Sequence, residues 1–301
     1  MTYIVHKAVE LEALSGKTRA ALDEDTWIIS PKYDGCHVIF LFNKGEFLKA
    51  VSRDNKPCTS MDHVAKQLRE LYDLGNGRVA ICGEAWMQGK EFNEISGAFR
   101  RHANQPQLQF VPFDIVPFDW LDEAPVLGQL YGRTHTTAYR ERLAFLAEPL
   151  AFPPSVLPPS YRIVWGGLNT ALELARQDAK LLKSRTDSFY DGTVLAQAFG
   201  LYKVGSGKGG EFIKCKPLIS YTVTVIGAAL DFGTKTGKNT AALKFMLDGH
   251  EQKVSTGLTQ AQVDEITAVG WDGYRIEVEA MGKTANGYLR EPRFKGIRTD
   301  A

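Results

Sequence analysis

Apolar residues recur with two spacings along the first two-thirds of the chain. Continuous or every-second-residue runs at 27–30, 36–42, 46–52, 79–86, 107–116, 193–198 and 211–215 predict strands. Three- and four-residue spacing at 61–74, 137–147 and 169–184 predicts helices. Gly75 and Gly77 stop the first of these, and Asn169-Thr170 offers a cap to the third. Asn43-Lys44-Gly45 reads as a hairpin turn, and the Pro-rich stretch 151–159 as a connecting loop. This is an α+β pattern with antiparallel sheets, since no strand–helix–strand unit repeats.

The texture changes after Pro217. Runs at 221–226, 241–247 and 274–281 predict strands separated by Gly-rich turns. A helix over 259–269 opens with Thr259-Gln-Ala-Gln262, a capping box. About five strands and one helix in about 80 residues fit an OB-type barrel. The expected architecture is two domains, an antiparallel-sheet domain over 1–217 and an OB-fold β-barrel over 218–301.

The chain has 301 residues, 44% of them apolar and 24% charged, enough to bury two cores. It contains no apolar run of about 18 residues, so no membrane span is expected. The first residues lack the basic, apolar, small-residue order of a secretory signal, which leads to a cytoplasmic expectation. The four cysteines are scattered without a C-x-x-C pair, which argues against a zinc knuckle and for small core residues. A net charge of +1 does not announce a polyanion partner, so any such site has to be a local cluster. Clusters of that kind lie at 203–216, 235–244 and 290–298.

Lys32-Tyr-Asp-Gly35 sits between two predicted strands. A lysine nucleophile must lose its proton, which nearby cations, a metal or partial desolvation promote. By itself the tetrapeptide reads equally as a hairpin turn with a solvated lysine. An ordered set of motifs follows it: Val51-Ser-Arg53, Gly83-Glu84, Phe113-Asp114, Asp191-Gly192, Lys214-Cys-Lys216 and Leu289-Arg-Glu-Pro-Arg-Phe294, then Arg298. Taken singly, Asp34 fits a turn cap, Phe113 a core aromatic and Asp191 an Asp-Gly turn. Lys214 and Lys216 alternate with Cys215, so both point to one face of a strand.

In this order the motifs resemble those of the covalent nucleotidyltransferases, and most closely the small ATP-dependent DNA ligases of tailed bacteriophages. Ser52-Arg-Asp-Asn-Lys56, Glu91-Phe-Asn93, Trp271-Asp-Gly273 and Asn286-Gly-Tyr-Leu-Arg290 extend the resemblance over nearly the whole chain. It implies that residues 1–217 form an adenylation domain in which Lys32 attacks the α-phosphate of ATP. It further implies that Asp34, Arg53, Glu84, Phe113, Lys214, Lys216 and Arg293 contact the nucleotide, with Phe113 stacked on adenine. Lys214, Lys216 and Arg53 would also serve the chemistry, and Asp191 with Glu84 would hold Mg²⁺ or Mn²⁺. Arg290, Arg298, Lys235 and Lys238 would meet DNA phosphates, although Lys235, Lys238 and Lys244 read equally as solvated loop charges. The implied substrate is nicked double-stranded DNA, acted on by a monomer with no obligate protein partner.

Four positions depart from the family pattern. His37 replaces a usual Arg, Ser30 a usual Glu, Asp191 a usual Glu, and Ala196 a usual Lys whose charge Lys203 or Lys208 could supply. Two other functions stay open at this stage: RNA ligation or mRNA capping, and a nucleic-acid-binding protein whose catalytic site has decayed.

Overall fold

The computed structural model describes residues 5–22, 26–117, 137–185, 189–203, 205, 208–233, 237–284 and 286–298. The chain forms two compact units, Met1–Lys216 and Pro217–Ala301.

Two sheets build the first unit. One has the order β4-β3-β5-β6, from β3 (Cys36–Asn43), β4 (Glu46–Ser52), β5 (Arg78–Trp86) and β6 (Gln109–Pro117), and is antiparallel throughout. The other has the order β1-β9-β8-β2-β7, from β1 (Val9–Glu10), β2 (Thr26–Tyr33), β7 (Arg162–Trp165), β8 (Tyr190–Gln197) and β9 (Phe212–Cys215). Its one departure from antiparallel pairing is the parallel contact of β1 with β9.

Local sequence explains most of these elements. The Lys44-Gly45 turn closes the β3–β4 hairpin with both residues at positive φ, the twist a two-residue hairpin needs. The helix α1 (Gly16–Ala20) is capped by the Ser15 hydroxyl, which accepts from the Thr18 N–H. Along α2 (Asp62–Leu71), Val64, Ala65 and Leu68 are buried at helical spacing in a cluster with Phe40, Phe42 and Ile81. The helix α3 (Phe92–Phe99) begins with a Glu91–Glu94 capping box. The helix α4 (Tyr139–Ala147) lies against β6, and α5 (Leu168–Lys183) buries Ala171, Leu172 and Ala175 with Trp27 and Leu195 of the second sheet.

Two local expectations need correction. The N-cap of α5 is Gly167 and not Asn169, because the helix begins early enough for Leu168 to pack on the sheet core. Lys32 and Tyr33 are not in a turn but finish β2, which leaves only Asp34-Gly35 to reverse the chain.

The second unit is a five-stranded antiparallel sheet of order β12-β11-β10-β13-β14. Its strands are β10 (Ile219–Gly233), β11 (Lys238–Leu247), β12 (His250–Val254), β13 (Arg275–Ala280) and β14 (Arg293–Ile297). The helix α6 (Gln260–Val269) starts with the expected Thr259–Gln262 box and buries Val263 and Ile266 against Trp271 and Phe245. No β12–β14 ladder closes the sheet among the described residues; a backbone bond from Phe294 N–H to the Thr256 carbonyl, 2.8 Å, links their surroundings. No described helix is long and apolar enough to cross a membrane.

Candidate active site: a cavity between two sheets

The first unit encloses a cavity of about 400 Å³, inside the usual range for small-ligand sites. Strand register decides what lines it. Across the second sheet, Lys32 pairs with Gly192, and Ser30 with Val194, which in turn pairs with Lys214. Ile28 pairs with Ala196, and Ala196 with Phe212. Successive rows on one face therefore run from lysines to apolar and aromatic groups. Across the first sheet, His37 pairs with Glu84, and Arg53 directly follows Ser52, the partner of Val38. His37 and Glu84 thus form one row of the wall, and Arg53, in the turn just past β4, lines the cavity near them.

The cationic end is tightly organised. Lys32 Nζ lies 2.6 Å from Asp191 Oδ2, and Lys216 Nζ lies 3.6 Å from the same oxygen. The Asp191 side chain is 6% exposed and that of Lys32 28%, so the carboxylate is sunk while the amine reaches the cavity. Gly192 makes this possible: at φ +124° a Cβ there would sit 2.2 Å from the Cys215 carbonyl oxygen. Gly35 is required for a similar reason, since its Cβ would fall 2.2 Å from the Ala85 carbonyl oxygen. Its role is close strand packing rather than the approach of a ligand.

Burial pushes the Glu84 carboxyl up to about 7, against the opposing pull of Lys32 and Arg53. Burial, assisted by Arg53, holds His37 down at about 3, so its imidazole is neutral at physiological pH. His37 Nδ1 is buried with no hydrogen-bond partner.

Phe113 owes its place to a β-bulge. Cys82 pairs with Asp114 and Gly83 with Pro112, which leaves Phe113 as the extra residue on β6. Its ring lies 5.6 Å from that of His37.

No protein-family model matches the chain. The DNA ligase of African swine fever virus (strain Badajoz 1971 Vero-adapted) is 24% identical over 199 residues, which are 65% of this chain and 43% of the viral protein. The chain thus spans less than half the length of the curated relatives it matches first. Among solved structures, a Lig E DNA ligase described as binding DNA with a minimal scaffold superposes with a TM-score of 0.64 at 18% identity, covering 97% of this chain and 99% of its own. The ATP-dependent DNA ligase of bacteriophage T7, solved in complex with ATP, gives 0.52 at 19% identity over 98% of each chain.

The chain has the DNA ligase fold.

Within this ligase fold the cavity gathers Lys32, Arg53, Glu84, Phe113, Lys214 and Lys216. Asp191 stands behind Lys32 and Lys216 rather than on the cavity surface, and Asp34 is buried beside the wall. One of the departures, Ala196, is explained by position. Ala196 lies in a core cluster with Ile28, Tyr139 and Leu143, where a lysine would have no solvent. Lys203 does not replace its charge at the cavity, because it is ion-paired with Glu211. Ser30 and His37 both line the cavity.

In the second unit, Arg290 exchanges backbone bonds with Met281 and Gly282, and Arg293 opposes Glu279 in the ladder. Arg298 Nη1 is 3.8 Å from Glu277 Oε2. Lys238 is exposed at the start of β11, and Lys235 lies outside the described residues.

Several lining residues gave no signal in the sequence: His6, Lys7, Tyr139, Tyr202 and Phe212. His6 reaches the site because β1 pairs with β9 and its backbone N–H donates to the Tyr202 hydroxyl at 2.9 Å. Only that long-range pairing could have disclosed it.

Proposed function

We propose that the protein is an ATP-dependent DNA ligase that seals nicks between a 5′-phosphate and a 3′-hydroxyl through an AMP carried on Lys32. The observation that carries this reading is the placement of Lys32 Nζ at the cationic end of a nucleotide-sized cavity, with Lys214, Lys216 and Arg53 around it and an aromatic, apolar far end. Phosphates go to the cations, and the base goes to the apolar end, where Phe113 stacks on it. Glu84 faces the sugar between them. The T7 relative's complex with ATP supports the choice of nucleotide.

In the first step the Nζ lone pair forms a bond to the α-phosphorus, and the bond to the pyrophosphate oxygen breaks with its electron pair. The Nζ proton has to leave, and Asp191 Oδ2 at 2.6 Å is the acceptor in place. The 5′-phosphate at the nick then displaces the lysine from AMP, and the amine recovers a proton. Finally the 3′-hydroxyl displaces AMP from the DNA-adenylate. Lys214, Lys216 and Arg53 neutralise the charge on the non-bridging oxygens in each transfer.

A divalent cation fits these residues. Among the described residues no group of three or more metal-binding side chains exists, but Mg²⁺ typically takes one or two carboxylates with water and phosphate oxygens. Asp191 and Glu84 would be those carboxylates, near enough to each other that the Asp191 charge adds to the rise of the Glu84 carboxyl. When bound, Mg²⁺ or Mn²⁺ supplies charge neutralisation at the phosphates.

We read residues 1–217 as the adenylation domain and 218–301 as an OB-type domain, which the five antiparallel strands and the single capped helix support. Arg290, Arg293, Arg298, Lys238 and Lys235 are its candidates for phosphate contacts with pyrophosphate or nicked duplex DNA. The enzyme on this reading is a cytoplasmic monomer.

The test is incubation with ATP, Mg²⁺ and a nicked duplex, with Lys32→Ala as control. A mass gain on the order of 330 daltons at Lys32 and joined DNA are expected. An unmodified protein overturns the reading, and labelling by GTP without joining would move it to a capping-type enzyme.

A further inference from the structure

Helix α4 grips the Phe113 bulge at two successive residues. The Tyr139 hydroxyl donates to the Phe113 carbonyl at 3.1 Å. The Arg142 guanidinium holds Asp114 bidentately, Nε to Oδ1 at 2.7 Å and Nη2 to Oδ2 at 3.2 Å. Both partners are 4% exposed or less. Arg142 Nη1 also donates to the Thr137 carbonyl at 2.6 Å, and Asp114 Oδ1 accepts from the Ile115 N–H at 2.9 Å. The guanidinium lies 5.4 Å from the Tyr139 ring and 5.7 Å from the Tyr202 ring.

A bulge residue has no partner across the ladder, so strand pairing leaves its direction loosely set. A buried ion pair gives little net stability over well-packed apolar residues, and its geometric specificity is what it adds. Here that specificity falls on the residue next to Phe113. We propose that Tyr139 and Arg142 are positioning residues that hold Phe113 at the angle needed to stack on the purine, so that base affinity is set from α4. This rests on the nucleotide-binding reading above.

The test measures binding of α,β-methylene-ATP, which cannot transfer its AMP, and of inorganic triphosphate, which lacks the base. The full chain is compared with Tyr139→Phe, Phe113→Leu and the double variant by calorimetry, with melting temperatures alongside. Loss of one aligned hydrogen bond should weaken the ATP analogue about 3- to 10-fold in Tyr139→Phe. Loss of the stacked ring should weaken it about 5- to 30-fold in Phe113→Leu. The double variant should bind no worse than Phe113→Leu, because the hydroxyl acts only through the ring. Triphosphate affinity should be unchanged in Tyr139→Phe, while the melting temperature should fall only by the few degrees that loss of one buried hydrogen bond implies. Arg142→Met should show the same selective loss of base affinity if it folds, and Tyr139→Phe decides the matter if it does not.

The proposal is overturned if Tyr139→Phe binds the analogue as the wild type does, if the two losses multiply in the double variant, or if triphosphate binding falls equally. If Phe113→Leu binds normally while Lys32 still takes AMP, this proposal fails and the ligase reading stands. If the wild type binds neither ligand and takes no AMP, the ligase reading fails and this one with it.

Discussion

The cavity of the first unit and the surface of the second hold their cations in opposite ways, although single exposed pairs such as Lys66 with Glu70 and Arg69 with Glu46 also occur on the first. In the first, Lys32 and Lys216 share the single carboxylate of Asp191, while Arg53 and Lys214 line the same cavity. In the second, basic groups meet acids one by one along the sheet: Lys244 with Glu251, Lys283 with Asp248, Lys295 with Glu279 and Arg298 with Glu277. Convergence of charge in a concave, partly dry place makes an ion pair sensitive to every neighbour, whereas exposed pairs are screened by water. The contrast teaches that the number of basic residues says less about a phosphate site than whether register brings them to one oxygen.

The largest effect expected from breaking this contrast is at Lys32. Lys32→Ala should abolish covalent AMP and lower nick sealing by at least about 10⁴-fold, read by intact mass and gel assay. A folded variant that keeps either activity removes the nucleophile from its assigned role. Gly192→Ala comes next. Its methyl would collide with the Cys215 carbonyl at φ +124°, so a loss of roughly 2–4 kcal/mol in denaturant unfolding is expected, with adenylation falling as Lys216 shifts.

Glu84 should give a smaller, pH-dependent effect. In the unfolded chain its carboxyl ionises near 4.5, and in the folded protein at about 7. Between these values the folded state binds the extra proton, so the stability this group contributes is full below about pH 4.5 and fades as pH rises through 7. Melting curves of wild type and Glu84→Gln should therefore converge at one end of pH 5–8 and separate at the other, the wild type losing ground as pH rises. A constant difference would mean that Glu84 titrates normally. The smallest effect is expected at Arg298→Ala, whose exposed pair with Glu277 is worth at most about 0.5 kcal/mol in unfolding. A much larger loss would show the second unit's charges to be organised like those of the first.

The chain's own residues determined which elements form and which side chains are available. Periodicity located most of the strands but not β1, β7, β12 or β14, and the Thr259–Gln262 box and the Lys44-Gly45 turn formed as read because each bonds within a few residues of itself. The motif lysines and Arg53, Glu84 and Phe113 were legible as residue types in order. The tertiary structure decided the rest. It ended β2 beyond Lys32, paired β1 with β9 so that His6 reached the cavity, buried Ala196 and made Phe113 a bulge residue. Each of these depends on which residue stands opposite which across a sheet. A shift of one position there reverses every side chain, and no window of neighbouring residues contains that information.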